Sequence, residues 1–444
     1  MKKALLFFLV LSSSFCFGQS IDTNSLNRYL DSLQVHEKFM GSVGILKDGS
    51  LVYQKAAGYA MVQGEAGQLA NSDTKYRIGS ITKVFTAVLI LQMVEEEKLE
   101  LNQSIETFFP GLTNADKITV RHLLEHTSGL ENLTAREDYM SFHTRAFTRE
   151  ELMKDYIHGN LEFKPGDQFK YSNTGYILLG FILEDLNGKS YADLIEERIS
   201  KKLGLESTYV GSTINALYNE AQSYNYRGRW AVSSETHSSI PGAAGNIVSS
   251  SKDLLRFLDA LFHEELISDE SLALMQEMEE GNYGLGLMRA PYYDQWGYGH
   301  NGGIDGFRSM AYYFPEMDLG VCLLSNALNY DLNQMSIKLI QAGLGDSLSI
   351  PSFQAPKLSA DQLNPCAGTF YTDLTPLEIK FWVSEGSLFA QATGQSSFSL
   401  TPVSETEFKF EAAQLRIIFK DKKKGKYQSM TLIQGGELLF KRKK

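Results

Sequence analysis

Ser80-Ile81-Thr82-Lys83 opens onto Val84-Phe85-Thr86-Ala87-Val88-Leu89-Ile90-Leu91-Gln92-Met93, and the stretch closes on Glu95-Glu96-Glu97. Apolar residues on every side of a 3.6-residue period predict a helix buried nearly all round. A spacing of three puts Ser80 and Lys83 on one face, where the lysine amine can reach the serine hydroxyl. At the helix start the N–H of Ser80 has no intrahelical partner, and the positive helix end favours a developing oxyanion. Ser80 is therefore a candidate nucleophile and Lys83 its candidate proton partner. The same four residues also describe a serine that merely caps a helix, so the surrounding chain has to decide.

Upstream of this helix, Leu26, Leu30 and Leu33 recur at helical spacing, and β-type residues from Gly41 to Tyr53 flank an Asp48-Gly49 turn. A helix and a hairpin thus open the domain. From about residue 100 to 290 helical periodicity is broken by signals such as Lys164-Pro165-Gly166-Asp167, which reads as an all-helical insertion. Strands return at Phe307 to Phe314 and Leu319 to Leu324 around Pro315-Glu316-Met317-Asp318, and Met335 to Leu344 is helical. One antiparallel sheet is thereby built from both ends of a domain spanning 19–349. Residues 350–356 form a Ser/Pro-containing linker, and 357–444 alternate short strand-like runs with turns at Glu385-Gly386, Lys424-Gly425 and Gly435-Gly436. That tail is predicted to be a separate all-β unit, with Lys422-Lys423-Lys424 a solvated hairpin tip and Lys441-Arg442-Lys443-Lys444 a solvated end.

The chain has 444 residues, 43% apolar and 21% charged, which suits two or three domains at ~100–200 residues each and excludes a disordered chain. Lys plus Arg number 42 against 53 Asp plus Glu, a net −11 that argues against nucleic acid as a partner. Lys2-Lys3, the apolar run Ala4 to Leu11 and Ser12-Ser13-Ser14 read as a secretory leader, residues 1–18, cut near Gly18. Its apolar core is too short for a span, so the expected product is exported, periplasmic or secreted, with no stable membrane span. Bulky Phe15 disfavours lipid attachment at Cys16. Cys322 and Cys366 then remain, read as buried thiols without a disulfide. No HExxH or paired CxxC spacing occurs, so metal catalysis is not expected.

Two further elements follow Ser80 and Lys83 in order. Tyr171-Ser172-Asn173 lies between the Pro165-Gly166 turn and the apolar Tyr176-Ile177-Leu178-Leu179-Gly180, offering a phenol to hold a proton and an amide to orient Lys83 or substrate. His300-Asn301-Gly302-Gly303 lies at the edge of the late strands and can present a cationic or hydrogen-bonding side chain beside a bare backbone N–H. Its glycines let substrate approach closely. His126 and His122 are read as satisfying backbone groups. Tyr224, Tyr226 and Trp230 are candidates for a cleft wall, with ordinary packing the default.

Ser-x-x-Lys, Tyr-Ser-Asn and His-x-Gly in this order resemble the three motifs of the serine β-lactamase and penicillin-binding-protein superfamily, in the branch with class C β-lactamases, DD-carboxypeptidases, D-aminopeptidases and esterases. Ile118 to Leu130, Pro241 to Ser249 and Tyr283-Gly284-Leu285-Gly286 resemble further stretches of that branch, and the likeness spans about residues 25 to 345. It implies an α+β fold, an antiparallel sheet flanked by helices, and a serine hydrolase without a cofactor. Carried over, Ser80 is the acylated nucleophile, Lys83 and Tyr171 share proton transfer, and Asn173 positions. The N–H groups of Ser80 and Gly303 form the oxyanion hole, while His300 joins the catalytic set and Asn301 and Gly302 bind substrate. The implied partner is a small peptide, ester or β-lactam; the oligomeric state is open. His300 stands where class C β-lactamases carry lysine, which counts against efficient β-lactam hydrolysis. The alternative reading is a non-hydrolysing penicillin-binding or sensor protein of the same fold. The tail, opening at Cys366-Ala367-Gly368-Thr369-Phe370-Tyr371, resembles the small lipocalin-like barrels appended to some members.

Overall fold

The structure is a computed structural model that describes residues 21–443 apart from 63–66, 279, 354–355, 411–412, 414 and 435. The expected leader lies outside the described residues. The chain divides into two compact units, Met1–Pro351 and Ser352–Lys444.

In the first unit, helix α1 (Thr23–Val35) buries Leu26, Tyr29, Leu30 and Leu33 and is capped by the Asp22 carboxylate, which accepts from the Ser25 N–H. It leads into β1 (Phe39–Lys47) and β2 (Ser50–Ala57). Helix α2 (Thr82–Glu95) buries every residue from Thr82 to Met93, which explains the absence of a polar stripe in its sequence. Helices α3 (Asn173–Asn187) and α4 (Ser251–Phe262) pack near it, and the Phe85 and Phe257 rings stack 3.6 Å apart. Strands β3 (Met288–Tyr292), β4 (Gln295–Ile304), β5 (Phe307–Phe314) and β6 (Leu319–Leu328) then precede helix α5 (Leu332–Gly343).

The main antiparallel path runs β3-β4-β5-β6-β1-β2, so the last strand of this unit pairs with its first. Strand alternation sends successive residues to opposite faces. A β-carbon on Gly44 would meet Leu255 of α4, whereas one on Gly343 of α5 would meet Ile45 and Leu319. Helices thus cover both faces, and α2 lies on the α4 side. One correction applies to the middle segment, which is not all-helical. Tyr209–Val210 and Ile247–Ser249 form a small sheet with Tyr76–Arg77, and Tyr224–Tyr226 with Trp230–Val232 extend the main sheet. Strands of two or three residues carry too few alternations to register as a period.

The second unit is a closed barrel of eight antiparallel strands from Gly368–Tyr371 to Glu437–Arg442. Phe370, Phe381, Phe408, Phe419, Met430 and Phe440 fill it, and closure removes the exposed edges. Lys422 to Lys424 are exposed at a strand end and turn. Arg442 departs from the expected solvated terminus: its guanidinium sits 4.7 Å from the Phe370 ring and donates to the carbonyls of Pro365 and Ala367.

Candidate active site

Ser80 occupies a 3-10 turn, Gly79–Ile81, that runs directly into α2. Gly79 has φ +53°, and a β-carbon there would lie 2.7 Å from the Gly303 nitrogen, so a side chain is excluded by both conformation and space. Gly302 is constrained by space alone, because its β-carbon would fall 2.0 Å from the Ile78 carbonyl oxygen. Ser309 of β5 donates to that same carbonyl at 2.8 Å. The serine turn is therefore seated on the β4–β5 hairpin. Ile304 pairs with Phe307 across the hairpin turn, which makes Gly303–Arg308 the next, non-hydrogen-bonded pair. The Gly303 N–H points away from β5, and β3 pairs no further along than Gly299.

Lys83 is fully buried, and its Nζ donates to Ser80 Oγ at 3.0 Å, Asn173 Oδ1 at 2.7 Å and the Ala244 carbonyl at 2.8 Å. All three acceptors are neutral. Burial therefore drives its pKa well below the ordinary lysine value. Asn173, the first residue of α3, is held in one orientation: its Nδ2 donates to Thr134 Oγ1 at 2.7 Å, which leaves Oδ1 for the lysine. Asn132 Oδ1 receives the Asn173 backbone N–H at 3.1 Å.

The Tyr171 ring centroid lies 5.0 Å from Lys83 Nζ. Burial raises the phenol pKa, and its interaction with Ser80 offsets part of that rise. His126 brackets this tyrosine. Its carbonyl accepts the Lys170 N–H at 2.9 Å, its Nδ1 accepts the Ser172 N–H at 3.2 Å, and its ring centroid lies 4.2 Å from that of Tyr171. To do so it adopts φ +60°. An accepting Nδ1 places the proton of a neutral ring on Nε2, and burial keeps the ring neutral. The expected backbone role of His126 thus extends to the residues on both sides of Tyr171. His122 completes a capping box with Thr119.

Three sequence expectations need correction. His300, read as offering substrate a cationic or hydrogen-bonding side chain, does not reach the cleft lining: it is 2% exposed, its Nε2 lies 3.1 Å from the Tyr283 hydroxyl, and its Nδ1 contacts the Asn301 carbonyl. Burial is the main cause that lowers its pKa to about 3. Asn301 alternates to the far face of β4, where it lines a separate cleft with Met310, Tyr312 and Ile337. It does not face Ser80. Gly302 is buried beneath the Ile78 carbonyl and serves the seating of the turn.

An open cleft over Ser80 is lined by Gly79, Asn173 and Gly303 at its floor and by Tyr139, Ser234 and Asp305 among its walls. The aromatic residues proposed for the wall behave otherwise. Tyr224 is buried and its hydroxyl accepts the Val62 N–H, while Tyr226 and Trp230 pack edge to face at 5.0 Å. Their neighbours Asn225 and Ser233 line the cleft instead. Thr134, Asn132 and the Ala244 carbonyl went unread in the sequence because each acts on Lys83 or Asn173 across a long loop closure. Ala244 at least lies in the Pro241–Ser249 stretch that the sequence singled out.

With this geometry in view, the Beta-lactamase family pattern matches residues 34–342. The chain belongs to the beta-lactamase family. This beta-lactamase-family chain is 27% identical over 440 residues to Penicillin-binding protein 4* of Bacillus subtilis, a match covering 89% of this chain and 93% of that protein. Among solved structures it resembles the octameric penicillin-binding protein homologue from Pyrococcus abyssi, with a TM-score of 0.68, 26% identity, 95% of this chain and 100% of that one covered. It also resembles the D-amino acid amidase from Ochrobactrum anthropi SV3, with a TM-score of 0.63, 26% identity, and 72% of this chain and 98% of that one covered. The beta-lactamase and penicillin-binding-protein superfamily is one of serine hydrolases acting on amide, peptide and ester bonds. Among the described residues no helix is long and apolar enough to cross a membrane.

Proposed function

We propose that this protein is an exported serine hydrolase in which Ser80 attacks an amide, peptide or ester carbonyl, forms an acyl-enzyme and releases it to water. The observation that carries the reading is the 3.0 Å contact between Ser80 Oγ and a lysine amine buried among neutral acceptors. Such an amine loses its proton far more readily than a solvated one and can then accept the serine proton. Lys83 and Tyr171 act as one coupled proton-transfer unit, since the phenol and the amine both address Ser80. The oxyanion would be received by the N–H groups of Ser80 and Gly303, the first free by its place at a helix start and the second by ladder alternation. Asn173 holds the amine, and no cofactor is required. Small esters and D-amino-acid or cell-wall peptides are the substrate classes favoured. The D-amino acid amidase likeness supports the amide side of that range. A lipocalin-like identity for the barrel rests on its eight-stranded closure.

Hydrolysis of a p-nitrophenyl ester tests the reading. Wild-type turnover should fall by at least about a thousandfold in Ser80→Ala, leaving only what binding and oxyanion donors supply. Full activity in that variant would end the proposal. A burst followed by no turnover would favour the non-hydrolysing alternative.

A further inference from the structure

The charges around the cleft are unequal. Among the described residues that line it there is neither lysine nor arginine. Lys83 is enclosed by its three acceptors, and neutral His300 lies beneath the surface. His143, the imidazole of the lining, has Nδ1 against the Met140 carbonyl at 3.1 Å and Nε2 against Ser234 Oγ at 2.9 Å. Asp305 borders the cleft, but its side chain is only 3% exposed: the carboxylate lies just behind the wall, where it takes the Thr236 hydroxyl at 2.6 Å and the Thr236 N–H at 3.1 Å. Behind it Arg77, 5% exposed, pairs with Glu235 at 2.6 Å and Asp305 at 3.7 Å and donates to the Thr236 carbonyl at 2.7 Å and the Ser212 carbonyl. Two carboxylates thus share one guanidinium, and the group carries one unbalanced negative charge. Arg308 lies across the ladder from Gly303 but turns its guanidinium to the carbonyls of Asp305 and Phe307 and is absent from the lining.

Resting on the hydrolase reading above, we propose that the cleft selects acyl substrates that are neutral or carry an ammonium near the scissile carbonyl and rejects those with a free carboxylate there, with Asp305 the residue that sets this sign. A bound carboxylate would lose water, meet no cation among the lining residues and lie in the field of the buried Asp305–Glu235–Arg77 group, which acts from behind the wall. An ammonium would meet the opposite field.

The test uses three p-nitrophenyl esters whose acyl chains have equal length and end in methyl, ammonium or carboxylate. For the full chain, kcat/KM on the carboxylate ester should be at least about tenfold below the methyl ester, with the ammonium ester equal to or above it. Asp305→Asn should narrow the ammonium-to-carboxylate ratio. Because Asp305 also pairs with Arg77, Met140→Lys at the exposed cleft rim provides a second variant, and it should raise the carboxylate ester relative to the methyl ester. A wild-type enzyme that takes the carboxylate ester as well as the methyl ester, through Arg308 or otherwise, overturns the selectivity and leaves the hydrolase reading standing. No turnover of any of the three overturns both.

Discussion

Lys83 illustrates how one residue's surroundings set its chemistry. A buried ammonium with only neutral acceptors is costly, so burial favours the free amine that can take a proton from Ser80. The base must be unprotonated. The limb of kcat/KM that rises with pH should therefore lie well below the ordinary lysine value of about 10.4, and a limb at that value would contradict the assignment. His126 should act through Tyr171, since it holds the residues on either side of it. His126→Asn keeps a short acceptor and tolerates a positive φ, whereas His126→Leu offers neither. The leucine variant should lower kcat at least about tenfold and shift the pH limb, with the asparagine variant partly rescuing both. Equal loss in the two, with an unmoved limb, would reduce His126 to a packing residue. The Ser80–Lys83 juxtaposition was legible because helix geometry alone fixes a spacing of three. The faces of His300 and Asn301 were not, because strand alternation separates neighbours without saying which side carries the helices.

At the scale of elements, the site depends on the seating of the Ser80 turn on the β4–β5 hairpin. Gly302→Ala would put a methyl carbon 2.0 Å from the Ile78 carbonyl and must push the two apart. The expected outcome is a drop in kcat of about a hundredfold, because displacing the oxyanion donors by even 1 Å has that cost. Unaltered kcat would mean that the turn and strand are not mechanically joined. Thr134→Val tests the other side: it removes the acceptor that orients the Asn173 amide, and activity should fall about tenfold or more with little loss of stability. The long elements, α2 and the strands flanking Pro315 to Asp318, were legible in the sequence because their periods repeat several times. The short strands at Tyr209–Val210 and Ile247–Ser249 were not, since two or three residues reflect a tertiary partner more than any local pattern.

For the whole molecule, two units with separate hydrophobic cores should melt separately. Calorimetry of the full chain should resolve two transitions, and one indivisible transition would contradict the division. The larger unit should also be acid-sensitive. His300 titrates at about 3 when folded against about 6.5 when unfolded, and His126 is shifted in the same direction. Between those values the unfolded chain binds more protons at these two sites, so the histidines cost nothing above about pH 6.5 and lower stability progressively as pH falls toward 3, by up to about 1.4 kcal/mol per pH unit for each. His300→Gln should flatten that dependence. A melting temperature equal at pH 7 and pH 4 would contradict the buried neutral imidazoles.

The central claim concerns one covalent bond. Wild-type protein and Ser80→Ala should be mixed with a neutral activated ester, quenched in acid during turnover, and measured by intact mass with peptide mapping. The account expects an added acyl mass on the Ser80 peptide in the wild type and none in the variant. An adduct elsewhere, or one that persists in Ser80→Ala, would contradict it.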